Sequence, residues 1–307
     1  EVPVRRLVPA SEADTRWAAV VVNYEAGSAL CDCVRSLLAD TSAGSPPQVV
    51  VVDNGSSDGS AAAVTQAIPT VTVVNPGENL GYARAANLGV AATDLPIVAV
   101  CNSDIEVRAG AAGAVLNRLN TEDDLGAVGP MVRNTDGTIY PSARSVPRIR
   151  DAVGHGLLGL VWPTNPFTRR YRQLDVDPSR RRDVDWVSGA AVWLRRDALT
   201  TVGGWDERYF MYAEDVDLCW QLRQRGWRIG YEPGAVVTHV QGVSTAKHPY
   251  RMIAEHHRSL YKFASKRWRG VRRLALPLAA AFLTVRALLA MAEHALRRRP
   301  KPPQVTG

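Results

Sequence analysis

The sequence is poor in the features that define several large classes of protein. Only four cysteines occur in 307 residues, and no two of them form a Cys-x-x-Cys pair. This disfavours a disulfide scaffold or a zinc knuckle. The charged, proline-containing N-terminal stretch lacks the apolar segment of a secretory signal. Together these features predict a reducing, cytoplasmic compartment.

Signs of nucleic-acid binding are also scarce. The formal net charge is +7, and much of the basic excess lies in residues 169–182 and from Lys262 onward. No platform of interleaved aromatic and basic residues accompanies it, so nucleic acid is not an expected partner. Two explanations of the excess stay open, a solvated basic surface and an attraction to anionic lipid or a phosphorylated partner.

What the sequence does contain is a repeated alternation of apolar runs and helical patterns. "WAAVVVNY", "PQVVVVDN" and "LPIVAVCN" are short runs rich in valine and isoleucine, and segments with helical spacing lie between them. This pattern predicts an α/β fold with a mostly parallel sheet flanked by helices. Ligands of such folds bind at the carboxyl ends of the strands. Here those ends carry Asn23-Tyr24, Asp53-Asn54 and Asn102-Ser103-Asp104.

Several of these polar residues suit particular parts of a nucleotide. Asp53 can accept a hydrogen bond from a base, and Asn54 and Ser56 can add polar contacts. The loop after this strand lacks GxGxxG spacing, and the chain has no GxxxxGK[ST] motif, so neither common phosphate loop is indicated. In "NLGYARAAN", Gly81 permits close backbone approach and Arg84 is available to a phosphate. A carboxylate such as Asp104 is a typical ligand of a divalent cation on a diphosphate.

The second half of the chain is less regular. The span from Pro141 to Asp183 predicts a long irregular excursion, and "RIGYEPGAVVTHV" predicts two strands around a Pro-Gly turn. A helix is predicted across "DVDLCWQLRQRGW" and an amphipathic helix across "HPYRMIAEHHRSLYKFASKRWRG". The apolar run from Leu274 to Leu296 has basic flanks and is interrupted by Pro277, Arg286 and Glu293. It fits an interfacial membrane helix better than a spanning one, and a helix packed on protein is the alternative.

Seven motifs in this order resemble the family 2 glycosyltransferases of the GT-A fold. They are "VVVNY", "VVVDNGSSDGS", "ENLGYARAANLG", "NSDIEV", "VDWVSGAAVWLRR", "GGWDERYFMYAEDVDLCWQLRQRGW" and "VVTHV". The resemblance implies a GT-A domain over residues 17–262, with a nucleotide-sugar half at 17–125 and an acceptor half at 126–262. A polar lead-in at 1–16 would precede this domain, and a membrane-associating tail at 263–307 would follow it.

Within this family, the segments "YPSAR" and "WPTNPFTRRYRQ" resemble those of actinobacterial rhamnosyltransferases that act on N-acetylglucosaminyl-diphospho-decaprenol. The resemblance implies inverting, metal-dependent transfer of L-rhamnose from dTDP-L-rhamnose during cell-wall linker assembly. It places the enzyme at the cytoplasmic face of the membrane, peripheral or monotopic. A homo-oligomer is one alternative for the quaternary state.

The resemblance also assigns roles to residues. Asp53 would bind the base, and Asn23, Tyr24 and Asn79 would line the nucleoside pocket, with Asn102 and Ser103 beside it. Asp104 and His239 would bind Mg²⁺ or Mn²⁺. The family often has two aspartates where this chain has "NSD", so only the last carboxylate is kept. Trp186, Ser188, Gly189, Trp205 and Asp206 would form the acceptor site.

The general base would come from the Glu214-Asp215 pair, with Asp215 as the base and Glu214 assisting. Asp217 would cap the helix or pair with an arginine. Because a cleft admits water, we expect these three acids to avoid burial in apolar surroundings. Two other functions stay open, transfer from a UDP-hexose or UDP-galactofuranose and an inactive membrane-associated sugar-binding scaffold.

Overall fold

A ten-stranded mixed sheet forms the centre of the molecule. The computed structural model describes residues 16–146, 148–159, 161–240 and 249–297. The predicted lead-in at 1–16, except Arg16, and the end of the predicted tail therefore lie outside the described residues. Within them the strands are β1 Trp17–Asn23, β2 Gln48–Asp53, β3 Thr72–Val74, β4 Ile97–Asn102, β5 Ile105–Val107, β6 Leu125–Asn134, β7 Ile139–Tyr140, β8 Ala143–Arg144, β9 Arg182–Asp183, β10 Trp186–Val187, β11 Ala191–Arg195 and β12 Arg228–His239.

The helices lie on both faces of this sheet and at the end of the chain. A 3₁₀ helix at Gly270–Ala275 leads into the last of them. The α-helices of the described residues are α1 Ala29–Ala39, α2 Ser60–Ala67, α3 Tyr82–Ala91, α4 Ala111–Thr121, α5 Ile149–Leu158, α6 Pro166–Arg172, α7 Arg196–Val202, α8 Glu214–Gln224, α9 Pro249–Arg267 and α10 Leu276–Arg297.

The sheet order is β3-β2-β1-β4-β11-β6-β12-β5. The first four strands are parallel, while β11 runs antiparallel to both of its neighbours. All of β1 is buried, and alternate residues such as Val20 and Val21 belong to separate apolar clusters on the two faces. Burial on both faces explains why these strands are continuous runs of β-branched residues. The predicted α/β class with flanking helices is confirmed.

Two local predictions are wrong. The segment after Gly226 is one strand, β12, and its pairing with β6 shifts register between Glu232 and Val236 instead of turning back. The Pro-Gly dipeptide lies inside this irregularity, where a missing N–H is tolerated. The span from Pro141 to Asp183 is not wholly irregular, because it contains α5 and α6.

The predicted amphipathic helix is α9, and it is tied to α8 by an ion pair. Lys266 Nζ lies 2.7 Å from Asp217 Oδ2 and 2.7 Å from Asp206 Oδ2. Asp217 is fully buried, and it also accepts bonds from Gln221 and Tyr209. The residue that pairs with Asp217 is therefore a lysine 49 positions away and not the predicted arginine.

Replacing Lys266 with methionine should destabilise the fold because it leaves Asp217 buried without its cation. We expect the free energy of unfolding to fall by about 3 kcal/mol, as for other broken buried pairs. Urea denaturation would measure this. The exposed pair of Arg35 and Asp32 supplies the control, since Arg35→Met should cost less than about 0.5 kcal/mol. Equal effects of the two substitutions would contradict the assigned role of Lys266.

Candidate active site

The pairing of β12 with β5 brings an imidazole to the carboxyl end of β4. His239 is opposite Ile105 in the strand register, and the Val240 N–H donates to the Asp104 carbonyl oxygen. His239 Nε2 consequently lies 3.0 Å from Asp104 Oδ1 and 3.3 Å from Asn102 Nδ2. Two residues separated by 135 positions in the chain thus present their polar atoms at one point.

A second group of polar residues shapes the loop before α3. Asn54 Oδ1 accepts from the Leu80 N–H, and Asn54 Nδ2 donates to Asn79 Oδ1 at 3.1 Å. Gly81 follows with φ +83°, and a Cβ there would lie 2.3 Å from the Phe210 carbonyl oxygen. Both the left-handed conformation and the close approach require glycine at this position. The loop is thereby held against the segment that precedes α8.

These elements enclose a cavity of about 300 Å³. Nine of the residues proposed from the sequence line this cavity, and they come from the nucleotide-sugar, metal and acceptor sets. They are Tyr24, Asn54, Asn79, Gly81, Asn102, Ser103, Asp104, Ser188 and His239. The remaining lining residues were not proposed from the sequence; they are Val22, Tyr82, Tyr140, Phe210, Met211, Tyr212, Arg251 and Met252.

Three residues proposed for the nucleotide lie beneath this wall. Asn23 is fully buried, and its Nδ2 donates to Asp53 Oδ1 at 3.1 Å, to Ser56 Oγ at 3.1 Å and to Ser60 Oγ at 2.9 Å. Asp53 Oδ1 also accepts from the Ser56 N–H. Asn23 therefore fixes the orientation of Asp53 and of the loop that follows β2.

Three other proposed residues lie outside the cavity lining. Arg84 pairs with Glu207 at 3.3 Å, on the surface. Asp206 bonds to Lys266 and to Arg208, which lower its pKa well below the ordinary value. Trp205 is buried, and its carbonyl oxygen accepts from the Asn87 side chain. These contacts brace the segment between α7 and α8.

Asp215 lies at the first turn of α8, directly behind Gly189. Its Oδ2 accepts from the Gly189 N–H at 3.0 Å and its Oδ1 from the Val216 N–H at 2.8 Å. Tyr82, which lines the cavity, donates its hydroxyl to the Gly189 carbonyl oxygen at 2.7 Å. Burial raises the pKa of Asp215, while the two N–H groups and the charge of Arg144 oppose that rise. The result is an oriented carboxylate that is a stronger base than a solvated one.

Arg144 is held over a set of aromatic rings that the sequence did not reveal. Its guanidinium carbon lies 5.0 Å from the Trp186 ring centre and 5.2 Å from that of Tyr140, and its Nη2 donates to the Tyr140 hydroxyl at 2.6 Å. The antiparallel pair of β8 and β10 sets Arg144 opposite Trp186. Trp186 is buried in this arrangement, behind the cavity wall. Such cation–π contacts fix a guanidinium without neutralising it.

Glu214 contradicts the expectation that the acids avoid burial. It is 7% exposed, and its Oε2 has no hydrogen-bond partner within the described part of the chain. Burial first, and the neighbouring Asp215 charge second, raise the pKa of Glu214 to about 8. A buried carboxyl group without a partner has a lower free energy when it is protonated than when it is ionised.

The turn that begins α8 is strained. Tyr212 and Ala213 both have left-handed backbone angles, with φ +66° and +63°. Such conformations cost about 1–3 kcal/mol each and persist where the surrounding structure enforces them. They place Tyr212 in the cavity and Glu214 and Asp215 behind it. Neither residue is a glycine or asparagine, so no local signal in the sequence indicates this turn.

The donor atoms at the end of β4 suit a divalent cation. Adjacent ligands of an octahedral cation with bonds of about 2.1 Å are about 3.0 Å apart, and Asp104 Oδ1 and His239 Nε2 show that separation. No cluster of three or more His, Cys, Asp or Glu side chains occurs among the described residues. A cation here would therefore take its other ligands from substrate and water.

The mixed sheet, the cavity at its strand ends and an oriented carboxylate define a GT-A sugar-transferring enzyme. Residues 15–262 match the family described as "Glycosyltransferase like family 2", and the chain belongs to that family. It is similar to the N-acetylglucosaminyl-diphospho-decaprenol L-rhamnosyltransferase of Mycobacterium tuberculosis H37Rv, with 39% identity over 290 residues, which cover 91% of this chain and 92% of that protein.

Other relatives are more distant. The pre-mycofactocin glycosyltransferase of the same organism is 32% identical over 62% of this chain and 37% of its own length. The fold resembles the Pyrobaculum calidifontis mannosyltransferase PcManGT solved with GDP-Man and Mn²⁺, with a TM-score of 0.55, 20% identity and 94% and 81% of the two chains covered. GalNAc-T7 solved with UDP, GalNAc and Mn²⁺ gives 0.58 at 14% identity, over 95% of this chain and 59% of that one. The GT-A fold and the C-terminal helical extension are thus confirmed.

The raised pKa of Glu214 predicts a pH-dependent stability. The folded state holds a proton that the unfolded chain releases above about pH 4.3, so the free energy of unfolding falls as pH rises from there to about 8. Glu214→Gln should remove this dependence. Relative to that variant, the native chain should lose on the order of 2 kcal/mol between pH 5.5 and 7.5 in urea denaturation. Parallel curves for the native chain and Glu214→Gln would refute the prediction.

Proposed function

We propose that this chain transfers L-rhamnose from dTDP-L-rhamnose to N-acetylglucosaminyl-diphospho-decaprenol, with inversion at the anomeric carbon. The observation that carries the proposal is the 39% identity to the rhamnosyltransferase of that acceptor, which extends over nine tenths of both chains. The cavity supports it, since nucleotide-sugar, metal and base candidates all lie on or directly behind its wall.

The donor would lie along the strand ends. Tyr24, Asn54 and Asn79 would contact the nucleoside, with Asp53 held towards the base by Asn23. Arg251 carries the only guanidinium or ammonium group among the described lining residues, and it stacks 4.9 Å from the Phe210 ring centre. We assign it to a diphosphate, because a planar guanidinium binds two phosphate oxygens at once.

The transfer would use Asp215 as the general base. The acceptor hydroxyl passes its proton to this carboxylate while its oxygen bonds to the anomeric carbon and the bond to the dTDP oxygen breaks. The Gly189 and Val216 N–H groups fix the two carboxylate oxygens, so the base needs little reorganisation. Asp104 and His239 would hold Mg²⁺ or Mn²⁺, which when bound would offset the negative charge of the leaving diphosphate.

The lipid-linked acceptor requires the enzyme to work at a membrane. The stretch Gly270–Leu296 is long and apolar enough to cross a bilayer by length and composition, and its apolar window is not buried within the chain. We propose that it lies in the bilayer interface at the cytoplasmic face, because basic residues flank it at both ends. Ser188 and Gly189 would form the acceptor side of the site, and the buried Trp186 would support them from behind.

A donor panel tests the proposal directly. The full chain should release dTDP and form a rhamnosyl product from dTDP-L-rhamnose and N-acetylglucosaminyl-diphospho-decaprenol, with Mg²⁺ or Mn²⁺ present and not with EDTA. Rates with UDP-glucose or UDP-galactofuranose should be lower by about 100-fold or more. NMR of the product reports the anomeric configuration. A preference for a UDP-sugar would replace the proposed donor, and an absence of turnover with every donor would favour the inactive scaffold.

Removing the proposed base should stop transfer and spare donor binding. Asp215→Asn should lower kcat by about 10³-fold, within the range expected for a general base, because the amide cannot accept the proton. The dissociation constant of dTDP-L-rhamnose should stay within about threefold by calorimetry, since Asp215 does not line the donor cavity. Asp136→Asn, in an exposed turn, is the control with unchanged kcat. Near-native turnover by Asp215→Asn would rule this base out.

A further inference from the structure

The end of α5 exposes apolar side chains that nothing in the described chain covers. Val153 and Leu157 are one helical turn apart and are 39% and 61% exposed. Just beyond the helix, Val161 is 83% exposed and Trp162 is 52% exposed. The opposite side of α5 packs inward, where Gly154 meets the Phe167 ring of α6. Packing within the described chain therefore does not account for the apolar side chains on the exposed side of α5.

The last helix carries a similar stripe. Its exposed large side chains recur at intervals of three, four or seven residues, which places them on one face of the helix. They are Leu278, Val285, Leu288, Leu289 and Leu296. The other face packs against α9 and α5, so the exposed stripe is additional to what the fold requires.

The two apolar surfaces adjoin. Arg286 of α10 donates from Nε to the Gly156 carbonyl oxygen at 2.7 Å. A Cβ on Gly156 would lie 2.7 Å from the Phe282 ring, so the helices are in close contact at this point. Gly156 directly precedes Leu157 in α5, which sets the exposed residues of the two helices side by side.

Basic residues border this combined surface. Arg148 and Arg150 stand at the start of α5, and Arg272 and Arg273 precede α10; all four are exposed. Arg150 shares Asp151 with Arg170. The other three have no acidic partner among the residues that the structure describes. A second copy of this chain would bring these positive charges together, whereas an anionic bilayer would neutralise them.

We infer that the end of α5 and the exposed stripe of α10 form one membrane-binding face, which inserts into the interface of an anionic phospholipid bilayer. Trp162 then lies at the level of the headgroups, where indole rings are favoured. This inference extends the membrane attachment in the proposed function, because it adds an element from inside the catalytic domain to the C-terminal helix. Two attachment points would fix the orientation of the cavity relative to the bilayer.

Site-specific fluorescence tests this assignment. The four native cysteines are buried, so a cysteine introduced at an exposed position can be labelled selectively with an environment-sensitive maleimide dye. We would label Val161→Cys and Leu278→Cys of the full chain, with Leu88→Cys on α3 as the matched control at 37% exposure. Vesicles of phosphatidylglycerol and phosphatidylethanolamine supply the bilayer. Labels at 161 and 278 should brighten about twofold or more and shift to the blue, and the label at 88 should not.

Three outcomes would overturn the inference. A response at 278 without one at 161 means that α10 binds alone, which leaves the proposed function intact. No response at either position removes the membrane face, and the donor panel then still decides the chemistry. A concentration-dependent response at 161 without vesicles, accompanied by a dimer in sedimentation, assigns the face to a second copy of the chain.

Discussion

The site depends on how the fold accommodates three acidic side chains at the start of α8. Each acid is accommodated in its own way. Asp217 is fully buried and pairs with Lys266, while Asp215 accepts hydrogen bonds from two backbone N–H groups. Glu214 has no partner for one oxygen among the described residues and has a pKa of about 8. Asp215 is held by hydrogen-bond donors and not by a cation, which supports its proposed role as the base.

Lys266 makes helix α9 part of the same arrangement. It lies in the last turn of α9, while Arg251 and Met252, in the first turn of that helix, line the cavity. Ser259 adds a bond from Oγ to the Met211 carbonyl oxygen at 2.9 Å, on the segment before α8. One helix therefore forms part of the cavity wall, neutralises the buried Asp217 and packs against α10. A displacement of α9 would disturb both the pocket and the turn that carries Asp215.

The sequence predicts the parts of this site that follow from local pattern. Apolar runs rich in valine define the parallel strands, and their carboxyl ends place Asn54, Asn102 and Asp104 on the cavity. Contacts between distant segments are not encoded in such patterns. Arg84 has the right type for a phosphate ligand but pairs with Glu207, and the excursion that contains Arg144 was predicted to be irregular. The partner of Asp217, the depth of Glu214 and the place of Arg251 all depend on where α9 packs, which periodicity cannot specify.

A glycosyltransferase with one soluble and one lipid-linked substrate must bring the two together at a phase boundary. The membrane-binding face would hold the chain there through two elements, and α9 lies between one of them and the cavity. A single flexible anchor would restrict the enzyme to the surface but leave the cavity free to rotate away from the acceptor. Contact through both α5 and α10 would fix that rotation as well. Orientation of this kind lowers the entropic cost of assembling the two substrates, which is paid before the chemical step.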